Sequence, residues 1–201
     1  MNIKKRIDHQ IILDLIPNNC SILDLGSGDG TLIDLLRTEK KNIKIQGIEI
    51  NAKSLQQSLL KGINAVQQDL DGGLNDFKDK SFDFVILNKT LQATHKPLLV
   101  LKEAIRIGKK VLISFPNFGY WIVRSQLFFF GKMPKSRDLP YEWYDTPNIH
   151  LVTISDFRLF CEKYNFQIQN QFFYDDENLL PAFCPNLCSP YALFVLSNKS
   201  N

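Results

Sequence analysis

The 201-residue chain has no long hydrophobic run. Its longest apolar stretch, YWIVRSQLFFF, is interrupted by Arg124 and is too short to cross a bilayer, and the opening MNIKKRIDHQ lacks the apolar centre of a secretory signal. No membrane association is expected, and a cytoplasmic location is. Cysteine is scarce: Cys20, Cys161, Cys184 and Cys188 match no metal spacing, because the one close pair is separated by three residues with no histidine beside it. No metal is therefore expected, and the thiols should be reduced and packed as small apolar groups. The charge excess is slight, 24 basic against 21 acidic residues, and the basic residues come as scattered pairs such as Lys40-Lys41 and Lys109-Lys110. A nucleic-acid surface would show a basic stripe interleaved with aromatics, which is missing, so nucleic acid is not an expected partner.

What is present is the composition of an enzyme-sized globular unit, 44% hydrophobic and 22% charged, expected to form a single domain over 1–201. Strand and helix patterns alternate along it, which argues for an α/β fold with a mostly parallel sheet. An opening helix is expected from about Arg6 to Ile16, a strand at Ser21–Leu25, and a helix in GTLIDLLRTEK. IKIQGIEI should be a strand, followed by a helix capped by Asn51 and ended by Gly62. INAVQQDL, FDFVILN and KKVLISFPN read as further strands, with THKPLLVLKEAIRIG as a helix before the last of these. Thr153 and Asp156 should start the helix SDFRLFCEKY, and FQIQNQFFY and YALFVLS form a closing antiparallel pair.

The chemistry concentrates in SILDLGSGDG, an apolar strand running into Gly26, Gly28 and Gly30. Bare backbone there can adopt positive φ and admit a ligand, and the helix that follows should turn free N–H groups toward it. A glycine turn alone is weak evidence, but Glu49 ends the next strand about twenty residues on, where the dinucleotide fold places a carboxylate for the ribose hydroxyls. Position 31 is threonine, where the dinucleotide fingerprint requires glycine or alanine, and no hydride-accepting constellation is visible; a nicotinamide or flavin oxidoreductase is disfavoured. Glycine at every second position after Asp24 resembles motif I of class I S-adenosylmethionine (SAM) methyltransferases.

That resemblance implies a Rossmann-like fold with a mostly parallel seven-stranded sheet, helices on both faces and a terminal antiparallel strand. It also implies SAM or S-adenosylhomocysteine as cofactor, bound over the carboxyl ends of the strands by Asp24, Gly26, Ser27, Gly28, Glu49, Ile50, Gln68, Asp69, Leu70 and Asn88. Of these, Asp69 would accept from the adenine amino group, Leu70 would supply a backbone contact, Ile50 would pack on the adenine face and Asn88 would sit near the methionine moiety. Methyl transfer needs donor and acceptor held close and aligned, so a dedicated base is optional and no catalytic residue is assigned. LNKT stands where amino-group methyltransferases carry Asn/Asp-Pro-Pro-aromatic, which makes amide and adenine acceptors unexpected.

Between the fifth strand and the next helix lies an aromatic-rich insertion at about 116–150, far longer than an ordinary connection. It is either a local core over the sheet edge or a lid or partner surface. LDLGSGDG, SFDFVILNKTLQA, SFPNFGYW, GKMP and LPYEWYDTPNIH resemble the methionine biosynthesis protein MetW family, in order and over nearly the whole chain. Ser27 departs from the family's usual cysteine, and Asn88-Lys89 from its Ser-Gln. The resemblance implies a SAM-fold protein that supports or activates homoserine O-acetyl- or succinyltransferase, MetX. The chain has no G-x-S-x-G nucleophile elbow, so it is not that acyltransferase. The alternative is an active methyltransferase with a small-molecule or protein acceptor, with Tyr141, Trp143, Tyr144 and His150 lining the acceptor side and Arg124 holding a carboxylate.

Overall fold

The structure of the chain, a computed structural model, describes residues 6–135 and 141–198. Leu139 and Pro140 of the LPYEWYDTPNIH stretch lie outside the described residues.

Helix α1 (Ile7–Leu15) leads into β1 (Ser21–Leu25), and three glycines later α2 (Thr31–Glu39) begins. The units β2 (Lys44–Glu49), α3 (Ala52–Leu60) and β3 (Ala65–Gln67) follow, then β4 (Phe82–Asn88), α4 (Pro97–Ile107) and β5 (Gly108–Pro116). The last third carries α5 (Trp121–Phe130), α6 (Ile154–Lys163), β6 (Gln167–Tyr174), β7 (Leu179–Leu180), α7 (Pro185–Cys188) and β8 (Tyr191–Ser197). Local chemistry explains the boundaries. The Asn51 side chain accepts from the amides of Lys53 and Ser54, Thr153 accepts from Asp156 N, and Pro97 occupies the first turn of α4. Such caps are worth about 1 kcal/mol each.

The sheet has eight strands in the order β3-β2-β1-β4-β5-β8-β6-β7. Strands β1 to β5 are mutually parallel, and β8 is antiparallel to both β5 and β6. The eighth strand beyond the seven expected is the two-residue β7, which pairs with the end of β6 through Phe173 and Tyr174. Strand β3 is shorter than INAVQQDL suggests: Asp69 leaves the sheet to cap a 3-10 turn at Leu70–Gly72, accepting from Asp71 N at 2.9 Å.

The strand alternation sorts the apolar residues onto two faces. Leu23, Leu25, Val85, Leu87, Val111 and Ile113 pack with α4 and α6 on one side. Ile22, Phe84, Ile86 and Leu112 pack with α1 and α2 on the other. Cys20 and Cys161 are buried thiols as expected, whereas Cys184 and Cys188 are exposed, because the short α7 presents few of its residues to the core.

Among the described residues no helix is long and apolar enough to cross a membrane. The chain winds from β1 outward to β3, then returns to place β4 on the other flank of β1. That reversal opens a crevice over the carboxyl ends of β1 and β4.

Candidate functional site

At the end of β1 the backbone turns through Gly26 (φ +80°), Gly28 (φ +56°) and Gly30 (φ +77°). Two of these positions are demanded by the protein itself. A Cβ on Gly26 would sit 2.5 Å from Thr90 Cγ2, and one on Gly30 would sit 2.3 Å from Ile63 Cδ1. Gly28 meets nothing within 4 Å, so it is the position whose bareness leaves space for a ligand.

Four amides of this turn already have partners within the protein. Gly26 N and Ser27 N donate to the Ile48 carbonyl at 2.8 and 2.9 Å, and Gly30 N donates to the Ser27 carbonyl at 3.0 Å. Gly28 N donates to Glu49 Oε2 at 2.8 Å, and Asn51 N donates to Glu49 Oε1 at 2.7 Å. Buried backbone donors must find partners, and here the neighbouring strand supplies those of Gly26, Ser27 and Gly28 while the turn itself supplies that of Gly30. The result is a rigid turn with Glu49 held on two backbone donors, each carboxylate oxygen keeping a further acceptor site.

Glu49, Gly26, Ile50, Gln68, Asp69 and Leu70 line a cavity of about 350 Å³. Its rim is braced by Asp71, whose carboxylate accepts from His95 N at 2.8 Å and Lys96 N at 2.6 Å. A second cavity, about 220 Å³, is lined by Asp24, Ser27, Gly28, Asn88, Arg6 and His9. Gly26 and Lys89 line both, so the two are halves of one cleft. The structure thus brings together all ten residues that the class I resemblance assigns to the cofactor.

The electrostatics differ between the halves. Asp24 is 2% exposed, and burial, then the charge of Glu49, pushes its carboxyl up to about 7. Burial holds His9 below its usual value, against the attraction of Asp8, so its imidazole is neutral near pH 7. Asn88 Oδ1 accepts from Ser114 Oγ, which itself accepts from Lys89 N at 3.0 Å. Lys89 has φ +58°, and its ammonium lies 3.9 Å from the centroid of the Tyr191 ring. Ser27 Oγ is buried without a hydrogen-bond partner among the described residues. Arg6 and His9 were missed from the sequence, since only tertiary packing carries α1 across the strand ends. Lys89 was visible as the residue after Asn88 but had no assigned role.

The five residues expected on the acceptor side do not line this cleft. Tyr141 and Trp143 line a separate cavity of about 600 Å³, with Phe118, Met133 and Leu151. Tyr144 is exposed, its ring edge-on to Trp143 at 5.6 Å. His150 faces a third cavity of about 280 Å³ with Leu91, Phe157 and Phe160. Arg124 Nε donates to the Gly119 carbonyl, tying α5 to its own entry turn. Within α5, Val123 is the one buried residue, while Phe128, Phe129 and Phe130 are exposed.

The fold is shared with solved methyltransferase structures. A SAM-dependent methyltransferase from Thermotoga maritima superposes with TM-score 0.70 at 18% identity, covering 96% of this chain and 88% of that one. A chain of the complex between the Haloferax volcanii Trm112 methyltransferase activator and a methyltransferase matches with TM-score 0.70 at 17% identity, over 95% and 88%. The cyclase SpnF matches with TM-score 0.69 at 11% identity, over 97% and 82%, so this fold alone does not decide methyl transfer.

The sequence comparisons are narrower. The chain is 32% identical over 210 residues to the bifunctional methionine biosynthesis protein MetXA/MetW of Rhodopirellula baltica, a match covering 99% of this chain and 34% of that protein. The chain thus spans about a third of that relative's length. The family described as methionine biosynthesis protein MetW matches residues 6–196. A Rossmann-like SAM methyltransferase fold, carrying this family's pattern along nearly its full length, places the chain in the methionine biosynthesis protein MetW family.

Proposed function

We propose that this chain binds SAM, or S-adenosylhomocysteine, in the two-part cleft and supports homoserine O-acetyl- or succinyltransferase (MetX) in methionine biosynthesis. It would do so in the cytoplasm, as one domain over 1–201 whose segment 116–150 is the working insertion. The carrying observation is the pairing of a cleft lined by Glu49, Asp69 and the glycine turn with separate exposed aromatics, in a chain similar to one part of a protein named MetXA/MetW.

The cleft fits the cofactor residue by residue. Glu49, fixed by two amides, presents acceptors for the ribose hydroxyls. Asp69 spends one oxygen on Asp71 N and has the other for the adenine amino group, between Ile50 and Leu70. The open face of Gly28, the unpartnered Ser27 Oγ and the carboxyl of Asp24 suit the methionine end. Bound there, SAM supplies an electrophilic methyl group.

The second surface is suited to a protein. Phe128, Phe129 and Phe130 are 83%, 73% and 72% exposed, and Trp143 and Tyr144 are similarly open. Exposed aromatics in such number mark a contact site rather than an ordinary surface.

A second reading, an active methyltransferase with a small-molecule or protein acceptor, is favoured by His9: a neutral imidazole lining the methionine half can take a proton from an acceptor. The two are separated by assaying MetX with added protein. On the first reading wild type raises acyl transfer, a Phe129→Ala/Trp143→Ala variant loses that effect, and no acceptor becomes labelled by methyl-labelled SAM. A labelled acceptor, with MetX indifferent to the protein, would establish the second reading instead.

A further inference from the structure

The end of the aromatic segment is fastened to the wall of the cofactor cleft at a single residue. Gln92 is 4% exposed and sits in a 3-10 turn, Leu91–Ala93, whose neighbours Thr90, Ala93 and Thr94 line the adenosyl cavity. Its backbone carbonyl accepts from two successive amides of the segment, Ile149 N at 2.9 Å and His150 N at 3.0 Å. Its side-chain Nε2 donates at 2.7 Å to the carbonyl of Lys89, which lines both halves of the cleft. Thr94 Oγ1 closes the turn on the Leu91 carbonyl at 2.9 Å.

The connection continues outward. Leu91 shares a cavity with His150 and Leu151, and Leu151 also lines the cavity that contains Tyr141 and Trp143. The cleft wall, the 89–94 turn and residues 149 and 150 are therefore joined by hydrogen bonds, and Leu151 carries the series on to the cavity lined by Tyr141 and Trp143. We infer that Gln92 couples cofactor occupancy to the aromatic segment, so that SAM binding and engagement of the partner acyltransferase are thermodynamically linked. The inference rests on the SAM-binding, partner-supporting function proposed above and adds regulation to it.

The physical basis is reciprocity. A ligand that settles the 89–94 turn in one arrangement changes the state of the segment hydrogen-bonded to it, and a partner that holds the segment must change ligand affinity by the same factor. Gln92 is a positioning residue here: its neighbours, not its side chain, line the cavity.

The chain carries its own reporter. Its two tryptophans, Trp121 and Trp143, both lie in the segment and are 52% and 71% exposed. Tryptophan emission therefore reads the segment, while calorimetry reads binding. The experiment titrates the full chain with SAM by both methods, for wild type, Gln92→Ala and Ile149→Pro. The second substitution removes one amide donor at a residue that is 46% exposed, and it keeps the test decisive if Gln92→Ala does not fold.

In wild type, emission should change along the calorimetric binding curve. At saturating SAM the change should fall at least about twofold in each variant while binding itself persists, and SAM should shift MetX affinity less in the variants than in wild type. Heat of binding without any emission change in wild type would overturn the coupling and leave the cofactor assignment standing. An undiminished emission change in the variants would overturn the role of Gln92. Absence of binding heat in wild type would remove the cofactor assignment itself, and the coupling with it.

Discussion

Replacing Asp24 by asparagine should make the protein more stable and a poorer ligand site at once. The carboxyl is 2% exposed, and burial followed by the charge of Glu49 raises it from 3.8 to about 7. In the unfolded chain the same side chain titrates near its ordinary value, so between about pH 5 and pH 7 the folded state holds a proton that the unfolded state has released. Stability must then fall as pH rises through that window, and stay low above it, because raising the pH shifts the equilibrium toward the state that binds fewer protons, here the unfolded one. Two pH units at about 1.36 kcal/mol each amount to roughly 3 kcal/mol. Asparagine carries no charge at either end of the range. The unfolding free energy of Asp24→Asn minus that of wild type should therefore grow by about 3 kcal/mol between about pH 5 and pH 8. Urea denaturation of both proteins at the two pH values measures this difference, and taking it between proteins removes titrations they share, such as that of His9. A difference independent of pH would refute the reasoning, since it would mean the carboxyl ionises as freely in the fold as in the unfolded chain. Affinity for SAM, measured by calorimetry near pH 8, should fall in the variant, because the anion facing a cationic ligand is gone.

The glycine turn offers a contrast within one motif. Gly30→Ala forces a side chain at φ +77° into Ile63 and should cost about 3 kcal/mol or more in denaturation, whereas Gly28→Ala, with open space before it, should cost about 1 kcal/mol and lose SAM affinity instead. Asn117 is 2% exposed, accepts from Gly119 N and Ile154 N, and donates to the carbonyls of Asn186 and Ser189. Asn117→Ala should therefore cost about 4 kcal/mol by denaturation, and limited proteolysis should cut first near the entry to α5.

Much of this protein is readable without its structure because the relevant physics is local. Short, nearly continuous apolar runs in Ser21–Leu25 and Phe82–Asn88 put buried strands at those residues, and Asn51 and Thr153 mark helix starts by satisfying amides two or three residues away. The glycine turn and Glu49 were legible for the same reason, as a backbone requirement and a fixed spacing. The residues that the class I resemblance assigns to a cofactor lie together in the cleft, since strand ends in an open α/β sheet lie on one edge.

Other features depend on partners far away in the chain. That the amides of Gly26, Ser27 and Gly28 are taken by Ile48 and Glu49 follows from the register of β1 against β2, which no single segment encodes. Arg6 and His9 reach the cleft because α1 packs across the strand ends, and Asp24 becomes hard to ionise because the sheet closes around it. The same holds for the aromatic segment. Its composition left a local core and a lid or partner surface both open, and only the tertiary structure shows that residues 149 and 150 return to the Gln92 carbonyl beside the cleft while Tyr141 and Trp143 face a cavity of their own. Sequence determines conformations whose hydrogen bonds close within a few residues; contacts between distant strands and helices exist only once the whole chain has packed.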